Sequence, residues 1–303
     1  MGVRSYVRGL IGQPRGGCDF VGTDRLERDW TFRASRPDIL TMVLRRSIRR
    51  HLVPAPPSRP ITPVRPRPRW ALYFVYAPDG QLTPSHRFTM DRLRTHHTGL
   101  LVVFASPSPD QVPGELVAGA DALYWKGLSG FDFSAYALGL RALAEHSPGC
   151  DVLVMNDSVY GPFSPLDELW ASMRWDLTGF TATGNIQNHI QSYAFLLRDW
   201  NAAKLAALAP VLRSGDAYAD YRDVVFGQET LFAQQAAGTM SVGSHWYADY
   251  HACSDPMLYA GVALVEEAGF PFLKKSLFTK YAHLADQESA RAVLAATGYP
   301  FPG

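Results

Sequence analysis

The stretch Asp151-Val-Leu-Val-Met-Asn-Asp-Ser-Val-Tyr-Gly-Pro162 changes character half-way along. Asp151–Met155 is a short, nearly continuous apolar run, the pattern of a strand buried on both faces of a parallel sheet. Directly after it come Asn156, Asp157 and Ser158, an acid between two small polar groups. At the carboxyl end of a strand such residues form a compact, oxygen-rich site. Oxygen ligands suit Mg²⁺ or Mn²⁺, which would neutralise the diphosphate of a substrate. The same residues, with Gly161 and Pro162, are also turn formers and would equally make an Asx turn.

Similar runs lie upstream. Trp70–Tyr76, Leu100–Ala105 and Ala122–Trp125 each read as a buried strand. Residues 84–96 offer one helix and Ser134–His146 another, amphipathic one. Strands separated by single helices predict βαβ units, hence an α/β fold with a mostly parallel sheet flanked by helices. Ligands of such sheets bind at the carboxyl ends of the strands. A second such position is Gly130-Phe-Asp132, just ahead of a helix. Gly130 lets the backbone approach a ligand closely, and Asp132 would either hold a ribose or sugar hydroxyl or cap the helix. Neither a GxxxxGK[ST] nor a GxGxxG motif occurs.

The net charge of +1 conceals an asymmetry. Residues 1–69 hold 15 Lys+Arg against 5 Asp+Glu, and residues 70–303 hold 14 against 23. The basic segment is read as an arm. Ser35-x-x-Asp38 resembles a capping box, and Leu40, Val43, Leu44, Ile48 and Leu52 fall on one face of a helix over residues 39–53. Arg45, Arg46, Arg49 and Arg50 crowd its other face, and a proline- and arginine-rich extended linker follows to residue 69. Such a helix would lie on an anionic membrane surface or grip a partner, or else pack on the main domain with its arginines solvated. No aromatic residues interleave the arginines, which argues against nucleic acid. No run approaches the roughly 18 apolar residues of a membrane span, and no signal-peptide core is visible. Three scattered cysteines (Cys18, Cys150, Cys253) form no disulfide or zinc pattern, so a reducing, cytoplasmic setting is expected.

The order and spacing of Gly130-Phe-Asp-Phe-Ser-Ala-Tyr-Ala-Leu-Gly139, Asn156–Pro162, Asp176-Leu-Thr-Gly179, His189-Ile-Gln-Ser-Tyr193 and Pro271-Phe-Leu-Lys-Lys275 resemble the rhamnan synthesis protein F family over about residues 70–280. The resemblance implies a glycosyltransferase of GT-A-like (Rossmann-like) architecture that builds rhamnose-containing polysaccharide, with dTDP-L-rhamnose as donor and a glycan or lipid-linked glycan as acceptor. Asn156-Asp157-Ser158 stands where that architecture places an Asp-x-Asp-like metal motif, with an amide replacing the first acid. Leu128 stands where the family usually has asparagine. Gly130, Asp132, Asn156, Asp157 and Ser158 are therefore the expected donor site, with Asp157 holding the metal.

Gln228-Glu229-Thr-Leu231 resembles the acidic motif at a helix start that supplies the base of inverting GT-A enzymes, which makes Glu229 the expected base and Asp176 the reserve. An inverting transfer needs a carboxylate to take the acceptor's proton. Glu229 at a helix start would also be favoured by the helix dipole alone. His189 and Gln191 alternate in a strand-like run, so both would face one side of a cleft and meet acceptor sugar; the histidine would otherwise bind metal or sit as a satisfied core residue. Lys274 and Lys275 would offset diphosphate charge, or else form an exposed pair ahead of a C-terminal helix. Residues 70–303 are thus expected to form one transferase domain, with residues 1–69 as its appendage and residues 39–53 as a membrane contact at the inner face. The rival reading is a non-catalytic glycan- or nucleotide-sugar-binding subunit of a polysaccharide-assembly complex.

Overall fold

The computed structural model of the chain describes residues 20–37, 39, 42 and 51–299. The capping box at Ser35–Asp38 and the arginine-bearing helix expected over residues 39–53 fall largely outside the described residues. The described end of that stretch is a strand, β2 (Leu52–Pro54).

One sheet organises the molecule. Its parallel centre is built from β4 (Arg69–Tyr76), β5 (Gly99–Ala105), β6 (Ala122–Lys126) and β7 (Cys150–Asn156), in the spatial order β7-β4-β5-β6. The expected strands are all here, and they are buried on both faces. Leu72 and Phe74 of β4 enter one apolar cluster, while Ala71, Tyr73 and Val75 enter the other, the alternation a pleated strand imposes. The Phe131–His146 helix covers the first face, and the Pro84–Leu93, Leu166–Ala171 and Gly261–Ala268 helices cover the second. Gly139 lets the first of these helices lie close on β4 and β5, since a Cβ there would collide with Leu72 and Leu101.

The sheet continues beyond β7 through β11 (Ala194–Trp200), β9 (Leu177–Thr183) and β13 (Val242–Ala248). β9 and β13 run parallel to each other, while β11 is antiparallel to β7 and to β9. The short β10 (His189–Ile190) pairs beside β9. The expected class stands: an α/β fold with a mixed, mostly parallel central sheet between helices.

The expected start of the sheet at Trp70 does not stand. β1 (Glu27–Thr31) pairs antiparallel with β13 at one edge, and β3 (Ser58–Thr62) pairs with β6 at the other. Both were hidden by their edge chemistry. β1 has one inward apolar residue, Trp30, and β3 contains Pro60, which an edge strand tolerates because one side of it needs no donors. β2 likewise pairs with β12 (Asp216–Tyr218), so the proline-rich stretch is only partly a linker. Trp30 is 2% exposed and stacks on Tyr247, with ring centroids 4.6 Å apart. W30A is expected to lower the free energy of urea unfolding by about 3–5 kcal/mol, the usual cost of truncating a buried aromatic. A loss below about 1 kcal/mol would show that β1 is not part of the cooperative core.

Candidate functional site

Two cavities open beside each other at the carboxyl ends of the parallel strands. The larger, about 710 Å³, is lined by the end of β4 at Phe74 and Tyr76, by Leu128–Asp132 after β6, and by Asn156–Ser158 at the end of β7. The smaller, about 280 Å³, is lined by His189, Gln191, Glu229, Asp255 and Lys274 among others. Sequence motifs far apart in the chain thus meet in two adjoining places.

In the larger cavity the turn residue Gly130 adopts a left-handed conformation (φ 84°) and precedes the Phe131–His146 helix. A side chain at 130 would be strained and would come within 2.9 Å of Ser134 and Ala217. Asp132 sits in the first turn of this helix and is not its cap. Its Oδ2 accepts a hydrogen bond from Asn156 Nδ2 at 3.0 Å. Burial, and then the nearby Glu229 carboxylate, push the Asp132 carboxyl up to about 7. Asn156 is occupied on both sides, because its Oδ1 accepts from Ser158 N at 3.0 Å and from Ser158 Oγ at 2.6 Å. An acid at 156 would set two carboxylates against each other, which gives the amide a physical reason.

Asp157 is held from behind. Its Oδ2 accepts from Tyr76 N at 2.9 Å and lies 3.2 Å from His86 Nε2. Thr83 N donates to His86 Nδ1, which assigns the ring proton to Nε2 and makes His86 the donor to Asp157. Lys126 is 1% exposed; burial pulls its ammonium down to about 8 against the opposing pull of Asp132. Its Nζ donates to Ser129 O at 2.9 Å and so fastens the loop that walls the cavity.

A divalent cation would find limited protein ligation here. Among the described residues no group of three or more His, Cys, Asp and Glu could hold a metal ion. Asn156 is committed elsewhere, which leaves Asp157 Oδ1 as the available carboxylate oxygen. One carboxylate fits Mg²⁺ or Mn²⁺ only where substrate phosphates and water complete the shell, a common arrangement for Mg²⁺.

In the smaller cavity Glu229 closes a π-helical turn, Val225–Glu229, that runs on into the Thr230–Ala236 helix. It is therefore inside a continuous helical segment, not at the free start that its motif suggested. Ser192 N and Oγ donate to Glu229 Oε1 at 3.0 and 2.9 Å, and Oε2 has no hydrogen bond among the described residues. His189 Nδ1 lies 2.8 Å from Gln187 O, which leaves Nε2 as the ring nitrogen not taken up by that bond. Gln191 Nε2 donates to Asp255 Oδ1 at 3.0 Å. Lys274 Nζ lies 3.5 Å from Asp255 Oδ2; burial opposes its charge, but Asp255 and Glu229 outweigh it and raise its pKa.

Lys275 lines neither cavity. Its backbone N donates to Ser158 O at 3.0 Å, and its ammonium lies over the Tyr160 ring. The strand pair of β8 (Val159–Tyr160) and β14 (Leu273–Lys274) thereby ties the chain's end to the Asn156–Ser158 loop. Asp176 is the residue the structure does not bring in. It precedes β9 at the opposite end of the sheet and pairs with Lys204 at 2.8 Å. Burial would raise its carboxyl, but Lys204 and Ser241 outweigh that and hold it down to about 2. Three residues escaped the sequence reading. For His86 the only sign is a histidine at the position of a capping box where Glu or Gln is usual; Asp255, which caps the Pro256–Tyr259 turn, and Tyr221 carry no sign of a site.

With this geometry in view, a sequence profile described as rhamnan synthesis protein F matches residues 101–301, more than half of the chain. The chain belongs to the rhamnan synthesis protein F family. Membership places the chain among proteins of rhamnan synthesis, a branch of polysaccharide biosynthesis. No curated protein matches the chain. Among solved structures it is similar to a putative nucleotide-diphospho-sugar transferase from Desulfovibrio desulfuricans G20, at 12% identity and TM-score 0.37 over 76% of this chain and 98% of that one. It is also similar to S. aureus TarS 1-349 in complex with UDP-GlcNAc, at 12% identity and TM-score 0.38 over 77% and 82% of the two chains. A third is the 4-diphosphocytidyl-2C-methyl-D-erythritol synthase of Anaerococcus prevotii DSM 20548, at 14% identity and TM-score 0.34 over 61% and 89%. Among the described residues of this family member, no helix is long and apolar enough to cross a membrane.

Proposed function

We propose that the protein transfers a sugar, L-rhamnose from dTDP-L-rhamnose, to a growing cell-surface glycan with inversion at the anomeric carbon. The observation that carries this reading is the pairing of cavities: a roomy one walled by Asp132 and Asn156–Ser158 beside a smaller one holding Glu229. The donor occupies the larger, with its diphosphate toward Asp157 and its ribose or sugar toward Asp132 and the backbone at Gly130. The acceptor hydroxyl enters the smaller, where His189 and Gln191 present polar groups. Glu229 Oε2 takes the hydroxyl proton as the new C–O bond forms, and the anomeric C–O bond breaks with its electron pair leaving on the diphosphate. Mg²⁺ or Mn²⁺ at Asp157, when bound, neutralises diphosphate charge. Lys274, expected at the diphosphate, lines the smaller cavity instead, where it pairs with Asp255 beside the acceptor.

The basic arm, through residues 39–53, would bring the protein to the inner face of the membrane where a lipid-linked acceptor lies. One observation favours a non-catalytic binding subunit instead: Asn156, the altered metal-motif position, has both amide atoms committed within the protein. The test is a thermal-shift panel of dTDP-L-rhamnose and UDP-GlcNAc with and without Mn²⁺, followed by assay of nucleoside diphosphate release. A ligand at a hundred times its Kd stabilises the fold by about 2.7 kcal/mol, so a donor should raise Tm clearly, and more so with Mn²⁺. No shift with any donor would sink the transferase reading. A shift without nucleotide release under any condition would favour the binding subunit.

A further inference from the structure

Among the residues that line the two cavities, Tyr221 alone lines both. The residue is 55% exposed and borders the place where donor and acceptor would meet. Its backbone is fixed by Asp220, whose side chain accepts from Arg222 N at 2.8 Å and starts the Tyr221–Val224 turn. Its ring centroid lies 6.3 Å from that of Phe131, which belongs to the wall of the larger cavity. Burial of the hydroxyl end and then the charges of Glu229, Asp132 and Asp255 raise its pKa far above the ordinary range, so the phenol stays protonated. Tyr221 thus borders both cavities while about half of the residue faces solvent.

The geometry points to Tyr221 as the roof of the reaction centre, the group that keeps bulk water from the anomeric carbon and so biases the enzyme toward transfer over hydrolysis. The inference rests on the transferase reading above. In the competing reaction a water oxygen bonds to the anomeric carbon, the bond to the diphosphate breaks with its electron pair, and the water proton passes to Glu229. The products are free sugar and nucleoside diphosphate, and no further reactant is needed. Water exclusion of this kind is what closed active sites achieve with lids; here a single aromatic ring does it.

The test uses the full chain and whichever of dTDP-L-rhamnose and UDP-GlcNAc gives the larger thermal shift. Nucleoside diphosphate release is measured at saturating donor without acceptor. Y221A should release it about tenfold faster than the parent, because water gains a direct path. Y221F, which keeps the ring, should stay within about twofold of the parent. Tyr221 contributes little to the core, so the alanine variant should fold, and donor-induced thermal shift checks that its cavity survives. An unchanged or slower release from donor-bound Y221A would overturn the roof. Equal acceleration in Y221F would overturn it too, by assigning the effect to the hydroxyl. Failure of the parent to bind either donor would sink the transferase reading itself, a result separable from both.

Discussion

In E229Q, transfer to acceptor should fall by roughly two to four orders of magnitude, the usual worth of a positioned general base. That corresponds to about 3–5.5 kcal/mol of transition-state stabilisation. Donor affinity should stay near that of the parent. The amide keeps an oxygen where Oε1 now accepts from Ser192 N and Oγ, so the side chain need not move. What it loses is the capacity to take a proton at the free position. Kinetics at saturating donor, with a donor Kd measured separately, check this. Weakened donor binding with an unaltered maximal rate would mean that Glu229 contacts substrate and moves no proton. Asp176 would not then replace it, since it lies at the far end of the sheet in an ion pair with Lys204.

D157N should be as damaging by a different route. The amide oxygen can go on accepting from Tyr76 N and from His86 Nε2, so the fold should be intact. The other position, where Oδ1 now faces the cavity, then carries an NH₂ group, which repels a cation. If Asp157 holds a metal that would neutralise donor charge, several kcal/mol of that stabilisation disappear and activity falls roughly a hundredfold or more. The Mn²⁺-dependent part of the donor thermal shift should vanish with it. Near-normal turnover in D157N would remove Asp157 from the chemistry, whatever the circular dichroism shows.

Residues that the two predictions depend on were legible in different degrees. Asp157 could be found because a buried strand announces itself by its apolar run, and the rule that ligands bind at strand ends then points to the next residues. Asp132 was found in the same way, but its tie to Asn156 was not, since nothing in the sequence says that two strand-end motifs 24 residues apart face each other at 3.0 Å. Glu229 was reached through family likeness, and the π turn that aims it has no composition signal. Edge strands were the blind spot of the fold. A strand such as β1 buries one side chain, and β3 carries a proline, so neither produces the alternation by which strands are recognised. His86 was missed because its role is relayed: it touches no cavity wall of its own and acts by fixing Asp157.

The clasp between β8 and β14 sets a timetable for the chain as it is made. Ser158 belongs to the loop proposed to meet the donor, yet its carbonyl is held by the backbone of Lys275, more than a hundred residues later. β1, near the other end, waits still longer in sequence terms for its partner β13. Domains emerge from the ribosome N-terminal end first, and contacts of large sequence separation form late. A nascent chain that has already released its parallel centre, β4 to β7, therefore has the strand that leads into Asp157 but not the Lys275 backbone that holds the loop beyond it. If the Asn156–Ser158 loop binds a nucleotide sugar, that affinity should appear only once the chain extends past Lys275 and the clasp can close.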